Sequence, residues 1–301
     1  MALDNPHDKF FKAAFSRKDV VATLIESRFP ELLRKGLDLS TLELTNSSFV
    51  DDELSEYFAD LVYDCVYMSE QPVKIALLIE HKSYQEEYPH LQLLRYLLNA
   101  WQEDRKQGQK LTPVIPIVIY HGKAHWKYAP MSSYFTATDV ILEEFLPAFR
   151  YLLFDLSAWP DEEILTFKNQ FLALSALLLK HSRAEKFLQI FQSSIGRVIA
   201  ELAADNEWNF IESAFVYVFR MENGLTREEI LAIFRHISPQ TESIIMSAYD
   251  QTVEYGKELA QIEMIKNALK KGLQADFIAD ILQLPLDKVK EMMARIKAGI
   301  S

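Results

Sequence analysis

The stretch FADLVYDCVYMSEQPVKIALLIEHK, residues 58–82, decides the fold of this chain. Residues 57–68 are rich in Tyr, Val and Phe, which favour β-strands. Residues 69–72 (SEQP) indicate a turn, and residues 73–82 indicate a second strand that is apolar until its last three residues. The two strands should therefore pair as a hairpin that ends in the charged residues of its second strand.

Elements on both sides of the hairpin indicate a mixed α/β fold. Apolar residues recur at helical spacing before the hairpin and again just after it, at residues 8–35 and 88–105. Short β-prone segments predict further strands at residues 41–49, 113–120 and 151–156. The first half of the chain is thus predicted to run α–β–β–β–α–β.

The second half is predicted to be helical throughout. Helical periodicity covers residues 161–260, with its last segment near 239–259. Three short helices are predicted in the remainder of the chain, the first of which ends at Lys271. Residues 272–298 have the spacing of a helix-turn-helix. DNA contact is one interpretation of this helix pair. Packing on the body or on another subunit is the favoured one, because the candidate reading helix lacks a row of base-reading side chains. The predicted units are residues 1–157, 158–260 and 261–301.

Composition indicates an ordinary globular protein of a reducing compartment. Hydrophobic residues make up 49% of the 301 residues and charged residues 25%, with only 8 glycines. The single cysteine, Cys65, excludes an intrachain disulfide and a cysteine-based zinc site. The start of the sequence has no apolar signal-peptide region, and no apolar run approaches the roughly 20 residues that span a bilayer. We therefore expect a cytoplasmic protein with no membrane partner.

The formal net charge of −11 weighs mildly against a nucleic-acid partner. Nucleic-acid-binding domains usually carry a basic surface that displaces counterions from phosphates. The local field matters more than the net charge, however, and a site that binds cations would itself add carboxylates. The net charge therefore does not exclude DNA as a partner.

Three residues of the hairpin have the chemistry of a metal-dependent hydrolase. Asp60 lies within the first strand, where a carboxylate is costly to bury unless it has a cation or hydrogen-bond partners. Glu80 and Lys82 close the second strand two residues apart, so their side chains should point to the same face. Two converging carboxylates form an oxygen site that suits Mg²⁺, with Mn²⁺ as an alternative ion. The ion would activate a phosphodiester, and Lys82 would orient the attacking water or stabilise the developing charge.

An E-x-K motif alone also describes many surface ion pairs, so longer matches carry more weight. Five stretches resemble, in order, the Rpn family of recombination-promoting nucleases, also labelled YhgA-like putative transposases, within the PD-(D/E)XK superfamily: PHDKFFKAAFS (Pro6–Ser16), FADLVYDCVY (Phe58–Tyr67), ALLIEHKSY (Ala76–Tyr84), QLLRYLLNAW (Gln92–Trp101) and PVIPIVIYHGKAHW (Pro113–Trp126). The resemblance implies a restriction-endonuclease-like core, metal-dependent DNA cleavage and a link to recombination. It also implies catalytic positions for Asp60, Glu80 and Lys82, with the two carboxylates as metal ligands. Many members carry Gln in place of Lys82, and Lys is closer to the superfamily pattern.

Four further residues are candidates for support of the site or for substrate binding. Asp8 is either an extra acidic ligand or the cap of the first helix. Gln92 either supports the site from the helix after E-x-K or lies on a solvated face. Arg95 could contact phosphate from the same helix, and His121 could lie near the site because it follows a strand end. No histidine spacing typical of a zinc hydrolase, such as H-E-x-x-H, is present.

The function predicted from these residues is a metal-dependent DNA endonuclease linked to recombination. The alternative is a nucleic-acid-binding accessory protein of recombination or transposition whose nuclease fold is weak or silent. Binding of Mg²⁺ or Mn²⁺ at Asp60 and Glu80 separates these hypotheses. A nuclease acting on RNA is a third interpretation, because no sequence feature selects DNA over RNA. A homodimer is expected only because many nucleases need two copies to cut two strands.

Overall fold

The computed structural model of this protein describes residues 6–45, 48–51, 58–80, 87–122, 124–136, 139–184, 186–221, 226–234 and 239–297. The helices of the first half are α1 (Pro6–Phe15), α2 (Lys18–Arg28), α3 (Glu31–Gly36), α4 (Pro89–Lys106) and the short α5 (Val140–Glu143). The strands are β1 (Leu37–Leu44), β2 (Phe58–Tyr67), β3 (Gln71–Glu80), β4 (Val114–Tyr120) and β5 (Leu152–Asp155). The prediction of a mixed α/β chain is therefore confirmed.

The five strands form one sheet in the order β1-β2-β3-β4-β5. β1, β2 and β3 are antiparallel to one another in turn, whereas β4 and β5 extend the sheet in parallel with β3. Because parallel neighbours run in the same direction, the carboxyl ends of β3, β4 and β5 lie at one edge of the sheet. Side chains at the ends of these three strands are thereby brought together, although they are far apart in the sequence.

The predicted hairpin of β2 and β3 is present. Ten residue pairs follow one another in continuous antiparallel register, beginning with Phe58 opposite Glu80. The loop contains Met68 and Ser69, whose φ angles of 50° and 69° lie in the left-handed region that tight hairpin loops use. The loop therefore lies slightly earlier than the predicted turn. Pro72 lies near the beginning of β3, where a proline is tolerated.

The first strand begins earlier than the predicted residues 41–49. β1 occupies Leu37–Leu44, and its pairing with β2 shifts register between Asp38 and Glu43. Such a bulge changes the phase of the alternation, so leucines alternate on each side of it but not across it. A period-two pattern that is broken in this way is hard to detect in a sequence.

Helices form the elements of the second half. They are α6 (Asp161–Ile164), α7 (Gln170–His181), α8 (Phe187–Ile190), α9 (Gly196–Ala204), α10 (Trp208–Arg220), α11 (Arg227–Phe234), α12 (Pro239–Lys270), α13 (Ala275–Leu282) and α14 (Leu286–Lys297). A π-helical segment, Phe191–Ile195, joins α8 to α9. No helix in the described part of the chain combines the length and the apolar character needed to cross a membrane.

The longest helix corrects a prediction. Two separate helices are expected from the sequence, one near residues 239–259 and one ending at Lys271, but α12 is a single helix of 32 residues. Gly256 lies within it in open space, with no neighbouring atom near the position of a Cβ. A glycine weakens a helix interior by about 1 kcal/mol and does not by itself end the helix.

The two faces of the sheet carry hydrophobic clusters of different size. A large cluster joins one face to α1, α2, α7, α9 and α10, and it includes Phe11 and Leu177. A smaller cluster joins the opposite face to α4, and it includes Leu78, Leu93 and Tyr96. A third cluster holds α13 and α14 against the end of α12. The sheet thus shares its largest core with the helices that follow it, whereas the last two helices pack in a core of their own.

Candidate active site

Asp60 and Glu80 lie on the same face of the hairpin. Asp60 is opposite Leu78, and Glu80 is opposite Phe58, in the register of β2 and β3. Opposed residues share a face, and so do residues two positions apart, so the two carboxylates are diagonal neighbours. Diagonal neighbours are about 7–8 Å apart, a separation that two side chains can span towards a common ion. The register therefore brings both carboxylates to the side of the sheet that α4 covers.

Asp60 is 6% exposed and is held by three hydrogen bonds. Ser48 Oγ donates to Oδ1 at 2.5 Å, and the Phe49 amide donates to Oδ2 at 2.9 Å. The Tyr96 hydroxyl of α4 also donates to Oδ2, at 2.9 Å. Burial and the charge of Asp60 raise the pKa of Tyr96 well above its ordinary value, so its hydroxyl keeps the proton. Donors from the described residues use three of the roughly four acceptor positions of the carboxylate, which leaves one position on Oδ1 with respect to them.

The segment that donates to Asp60 is itself held by α4. Arg95 Nε donates to Asp51 Oδ2 at 2.8 Å, and Asn99 Nδ2 donates to the same oxygen at 3.0 Å. Asn99 Nδ2 also donates to the carbonyl oxygen of Phe49 at 3.1 Å. A pocket of about 380 Å³ lies between this segment and α4. Arg95, predicted as a supporting or phosphate-contacting residue, thus lies in an ion pair that orders the segment beside Asp60.

Glu80 is fully buried at the end of β3. It lies close enough to Tyr120, the last residue of β4, to affect its phenol. Burial is the main cause of the raised pKa of Tyr120; the charges of Asp155 and Glu80 add to it, and that of Arg183 opposes it. The Tyr120 hydroxyl lies over Gly122, where an added Cβ would overlap it, so a larger residue would have to displace the buried Tyr120 ring. The Tyr120 phenol therefore lies within electrostatic reach of Glu80, Asp155 and Arg183.

Asp60 and Glu80 fit the ligand chemistry of Mg²⁺ or Mn²⁺. Both are buried oxygen donors, and Asp60 retains an acceptor position on Oδ1. Mg²⁺ keeps several waters and takes one or two protein carboxylates, so it does not need a larger set of side chains. In the described part of the chain, no three His, Cys, Asp or Glu side chains form a group suited to a metal. Asp64, farther along β2, is exposed and pairs with Lys74 at 3.0 Å.

Lys82, the third predicted catalytic residue, lies outside the described residues. β3 is described as far as Glu80, and residues 81–86, onto which its predicted end falls, are outside the described part of the chain. The role of Lys82 therefore stays a prediction.

Asp8 and Gln92 each lie near the start of a helix, Asp8 in α1 and Gln92 in α4. Asp8 occupies the first turn of α1, which begins at Pro6, so its interpretation as a residue capping the helix from outside is wrong. Its charge there is favourable for the helix dipole. When the Gln92 amide is turned so that its nitrogen faces acceptors, it donates back to the carbonyl oxygen of Tyr88, at the start of α4.

A second polar group lies beside the carboxyl end of β4. We call His7, His121, Arg183 and Tyr217 the His–Arg cluster. His121 directly follows β4, is 2% exposed, and has its ring centroid 4.6 Å from that of His7. Arg183 Nη1 is 3.3 Å from both Nδ1 and the carbonyl oxygen of His121, and His7 Nδ1 is 2.7 Å from the Tyr217 hydroxyl. Only His121 is a candidate from the sequence, because four separate elements contribute and no local spacing signals that they meet.

The chain is similar to known proteins over most of its length. The family described as "Putative transposase, YhgA-like" matches residues 5–208. Recombination-promoting nuclease RpnA of Escherichia coli (strain K12) is 25% identical over 280 residues, which cover 92% of each chain. Inactive recombination-promoting nuclease-like protein RpnE of the same strain is 25% identical over 90% of this chain and 89% of its own. Recombination-promoting nuclease RpnC of that strain is 22% identical over 96% of this chain and 97% of its own. No solved structure matches significantly.

Proposed function

The chain belongs to the family of YhgA-like putative transposases, and from that membership we propose that it is a metal-dependent DNA endonuclease that acts in recombination. Relatives that share most of its length are named recombination-promoting nucleases. We assign the sheet and its flanking helices to a restriction-endonuclease-like core of the PD-(D/E)XK type. This assignment is supported by the order along the chain, in which helices precede three strands, a helix and a further strand.

The observation that carries the proposal is the pair of buried carboxylates, Asp60 and Glu80, on one face of the hairpin. Removing a carboxylate from water is costly unless donors or a cation offset the loss. Two such groups side by side repel each other, which raises the cost further. A divalent ion bound between them relieves both effects, and two carboxylates are the protein ligands that Mg²⁺ takes.

Each residue of the site has a role in this proposal. Asp60 and Glu80 hold the ion, and the donors from Ser48, Phe49 and Tyr96 keep the Asp60 carboxylate in one orientation. When bound, the ion supplies Lewis-acid chemistry for phosphodiester hydrolysis. We assign to Lys82 the positioning of the attacking water. The covering helix α4 limits the access of other water to Asp60, which strengthens electrostatic contacts there.

Incubation of purified protein with plasmid DNA and Mg²⁺ or Mn²⁺ tests the proposal. We expect nicking that EDTA stops and that Glu80→Ala and Lys82→Ala abolish, with circular dichroism showing that both variants are folded. Asp64→Asn is the matched control, because Asp64 lies on the same strand as Asp60 but is exposed and paired with Lys74. Equal cleavage by the wild type and the Glu80 variant would indicate a contaminating nuclease and contradict the assigned site. An RNA substrate in the same assay decides between the two nucleic acids.

A nucleic-acid-binding accessory protein with a silent nuclease fold is the second candidate. It is favoured by RpnE, whose name calls it inactive and whose identity to this chain, 25%, equals that of RpnA. Titration calorimetry with Mn²⁺ separates the candidates. The nuclease requires that the wild type bind the ion and that Glu80→Gln lose it, whereas an accessory protein binds DNA without needing the ion or cutting the strand.

A further inference from the structure

Arg183 follows α7, is half-buried, and has an uncommon set of partners. Its Nη1 atom is 3.3 Å from Nδ1 and from the carbonyl oxygen of His121. No carboxylate among the described residues is within ion-pair distance of its guanidinium, whereas Arg28, Arg95 and Arg197 each pair with one. Within the described residues, the charge of Arg183 is therefore not neutralised by an ion pair, although the whole chain has a net charge of −11.

The rest of the His–Arg cluster orients this guanidinium without neutralising it. A guanidinium carries five N–H donors and no acceptor, so Nδ1 of His121 accepts and the hydrogen of the neutral ring is on Nε2. His7 packs its ring against His121 and is bonded through Nδ1 to the Tyr217 hydroxyl. Tyr217 is buried, and its burial raises the pKa of its hydroxyl, so that the hydroxyl stays neutral. The cluster thus holds the permanent positive charge of Arg183 in a fixed place.

This charge lies at the same edge of the sheet as Glu80. β3 and β4 are parallel and paired as far as Ile79 and Ile119, so the next residues, Glu80 and Tyr120, end the two strands side by side. His121, which accepts from Arg183, is the next residue after Tyr120. Burial raises the pKa of Tyr120, and among the charges around it Glu80 raises that pKa while Arg183 lowers it. One phenol therefore lies within electrostatic reach of both the candidate catalytic carboxylate and the arginine.

We propose that Arg183 binds a phosphate of the nucleic-acid backbone beside the phosphodiester that Asp60 and Glu80 would process. This inference rests on the proposed function, because it places a second phosphate next to the proposed catalytic centre. The planar fork of a guanidinium matches two oxygens of a phosphate, and Arg183, which pairs with no carboxylate of the described residues, keeps its charge for that ligand. Half-burial reduces screening by water. A backbone phosphate held there gives the strand a fixed register at the edge of the sheet.

Fluorescence anisotropy with labelled duplex DNA in EDTA tests Arg183 without metal or cleavage. We expect R183Q to weaken binding on the order of tenfold at low salt, and to lower the slope of log affinity against log salt by about one. R197Q is the matched control, because Arg197 is exposed and paired with Glu201, and it should bind as the wild type does. An R183Q variant with the affinity and salt slope of the wild type overturns the proposal. So does a wild type that does not bind DNA.

If R183Q fails to fold, chemical modification of the wild type tests the proposal instead. Phenylglyoxal modifies accessible arginines, and mass spectrometry reports each position separately. DNA should protect Arg183 and leave Arg197 reactive; equal reactivity of Arg183 with and without DNA overturns the proposal. Inorganic phosphate serves as the second probe. If it protects Arg183 as well as DNA does at the same phosphate concentration, the site takes free phosphate and the assignment to the backbone is overturned.

The two proposals fail in different ways. Metal-dependent cleavage by the wild type together with unchanged binding by R183Q removes the phosphate site and retains the nuclease. Binding that depends on Arg183, without cleavage by the wild type in any divalent ion, removes the nuclease and retains the phosphate site.

Discussion

The two faces of the central sheet differ in what they bury. One face packs against α1, α2, α7 and α10 in a large cluster whose members are apolar, among them Phe11 and Leu177. The other face packs against α4 in a smaller cluster, and the buried carboxylates Asp60 and Glu80 lie on that side. The same two strands, β2 and β3, contribute alternate residues to both faces. One hairpin therefore contributes apolar core residues on one face and the candidate catalytic carboxylates on the other.

This difference between the two faces indicates how the fold remains stable although it buries two carboxylates. Net stabilities of domains are only about 5–15 kcal/mol, and two buried carboxylates lower them. The large apolar face offsets that cost, and the donors to Asp60 reduce it. Substitutions on the large face should therefore act on stability, and substitutions on the α4 face should act on function with smaller effects on stability.

The largest effect on stability is expected at Phe11. Its side chain is fully buried and packs against Phe15, with ring centroids 5.0 Å apart. Phe11→Ala should lower the free energy of unfolding by about 3–5 kcal/mol, because it removes apolar contacts and leaves a cavity. Urea unfolding measures the loss. Leu91→Ala is the control on α4, where the side chain is 51% exposed, and it should change stability by about 0.5 kcal/mol or less. Equal losses at both positions would contradict the comparison.

Glu80→Gln should lower activity strongly and stability only slightly, in contrast to Phe11→Ala. The amide keeps the size of the side chain and removes the charge that a metal needs. We expect nicking of plasmid DNA to fall on the order of 10²–10³-fold, which corresponds to about 3–4 kcal/mol of activation free energy. The free energy of unfolding should change by about 1 kcal/mol or less, because a buried charge is also removed. A stability loss as large as that of Phe11→Ala would instead make Glu80 a structural residue.

The hairpin and the positions of its carboxylates could be predicted because they depend on local rules. A period of two, a short turn and one strand register determine which residues share a face. The extent of β1 could not be predicted, since its bulge interrupts the alternation of leucines. The length of α12 also differs from the prediction, since a single internal glycine is a weak signal of a helix end.

The face of α4 that is buried against the sheet could not be predicted, for a different reason. Its sequence offers two apolar stripes. One includes Leu91 and Leu98, which are about half exposed, and the other includes Leu93 and Tyr96, which are fully buried. Helical periodicity alone does not choose between them, because the choice depends on which stripe fits the sheet. The bond from Tyr96 to Asp60, and likewise the meeting of four elements in the His–Arg cluster, follow from tertiary packing.

Tyr96→Phe tests the difference between the two faces of the sheet, because Tyr63 on the other face is also a buried tyrosine that donates a hydrogen bond. Tyr96 donates to Asp60 at 2.9 Å, and Tyr63 donates to the carbonyl oxygen of Phe15 at 2.7 Å. Loss of either hydroxyl should cost about 1–3 kcal/mol of unfolding free energy, since each leaves a buried acceptor with one donor fewer. Only Tyr96→Phe should weaken the binding of Mn²⁺ in titration calorimetry, by several-fold, because only it loosens Asp60. If Tyr63→Phe weakens the binding of the ion as strongly, the role of Tyr96 is general stability and not the positioning of a ligand.

The smallest effect is expected at the solvent-exposed end of the same hairpin. Asp64 shares a strand with Asp60 and pairs with Lys74 on β3 at 3.0 Å, but the Asp64 side chain is 55% exposed. Exposed ion pairs contribute about 0–1 kcal/mol, since water screens the charges and two side chains lose freedom. Asp64→Asn should therefore leave the nicking rate unchanged and shift the free energy of unfolding within that range, with less effect at high salt. A nicking defect in this variant would extend the functional site along β2, and the position of a carboxylate beneath α4 would no longer explain why Asp60 matters.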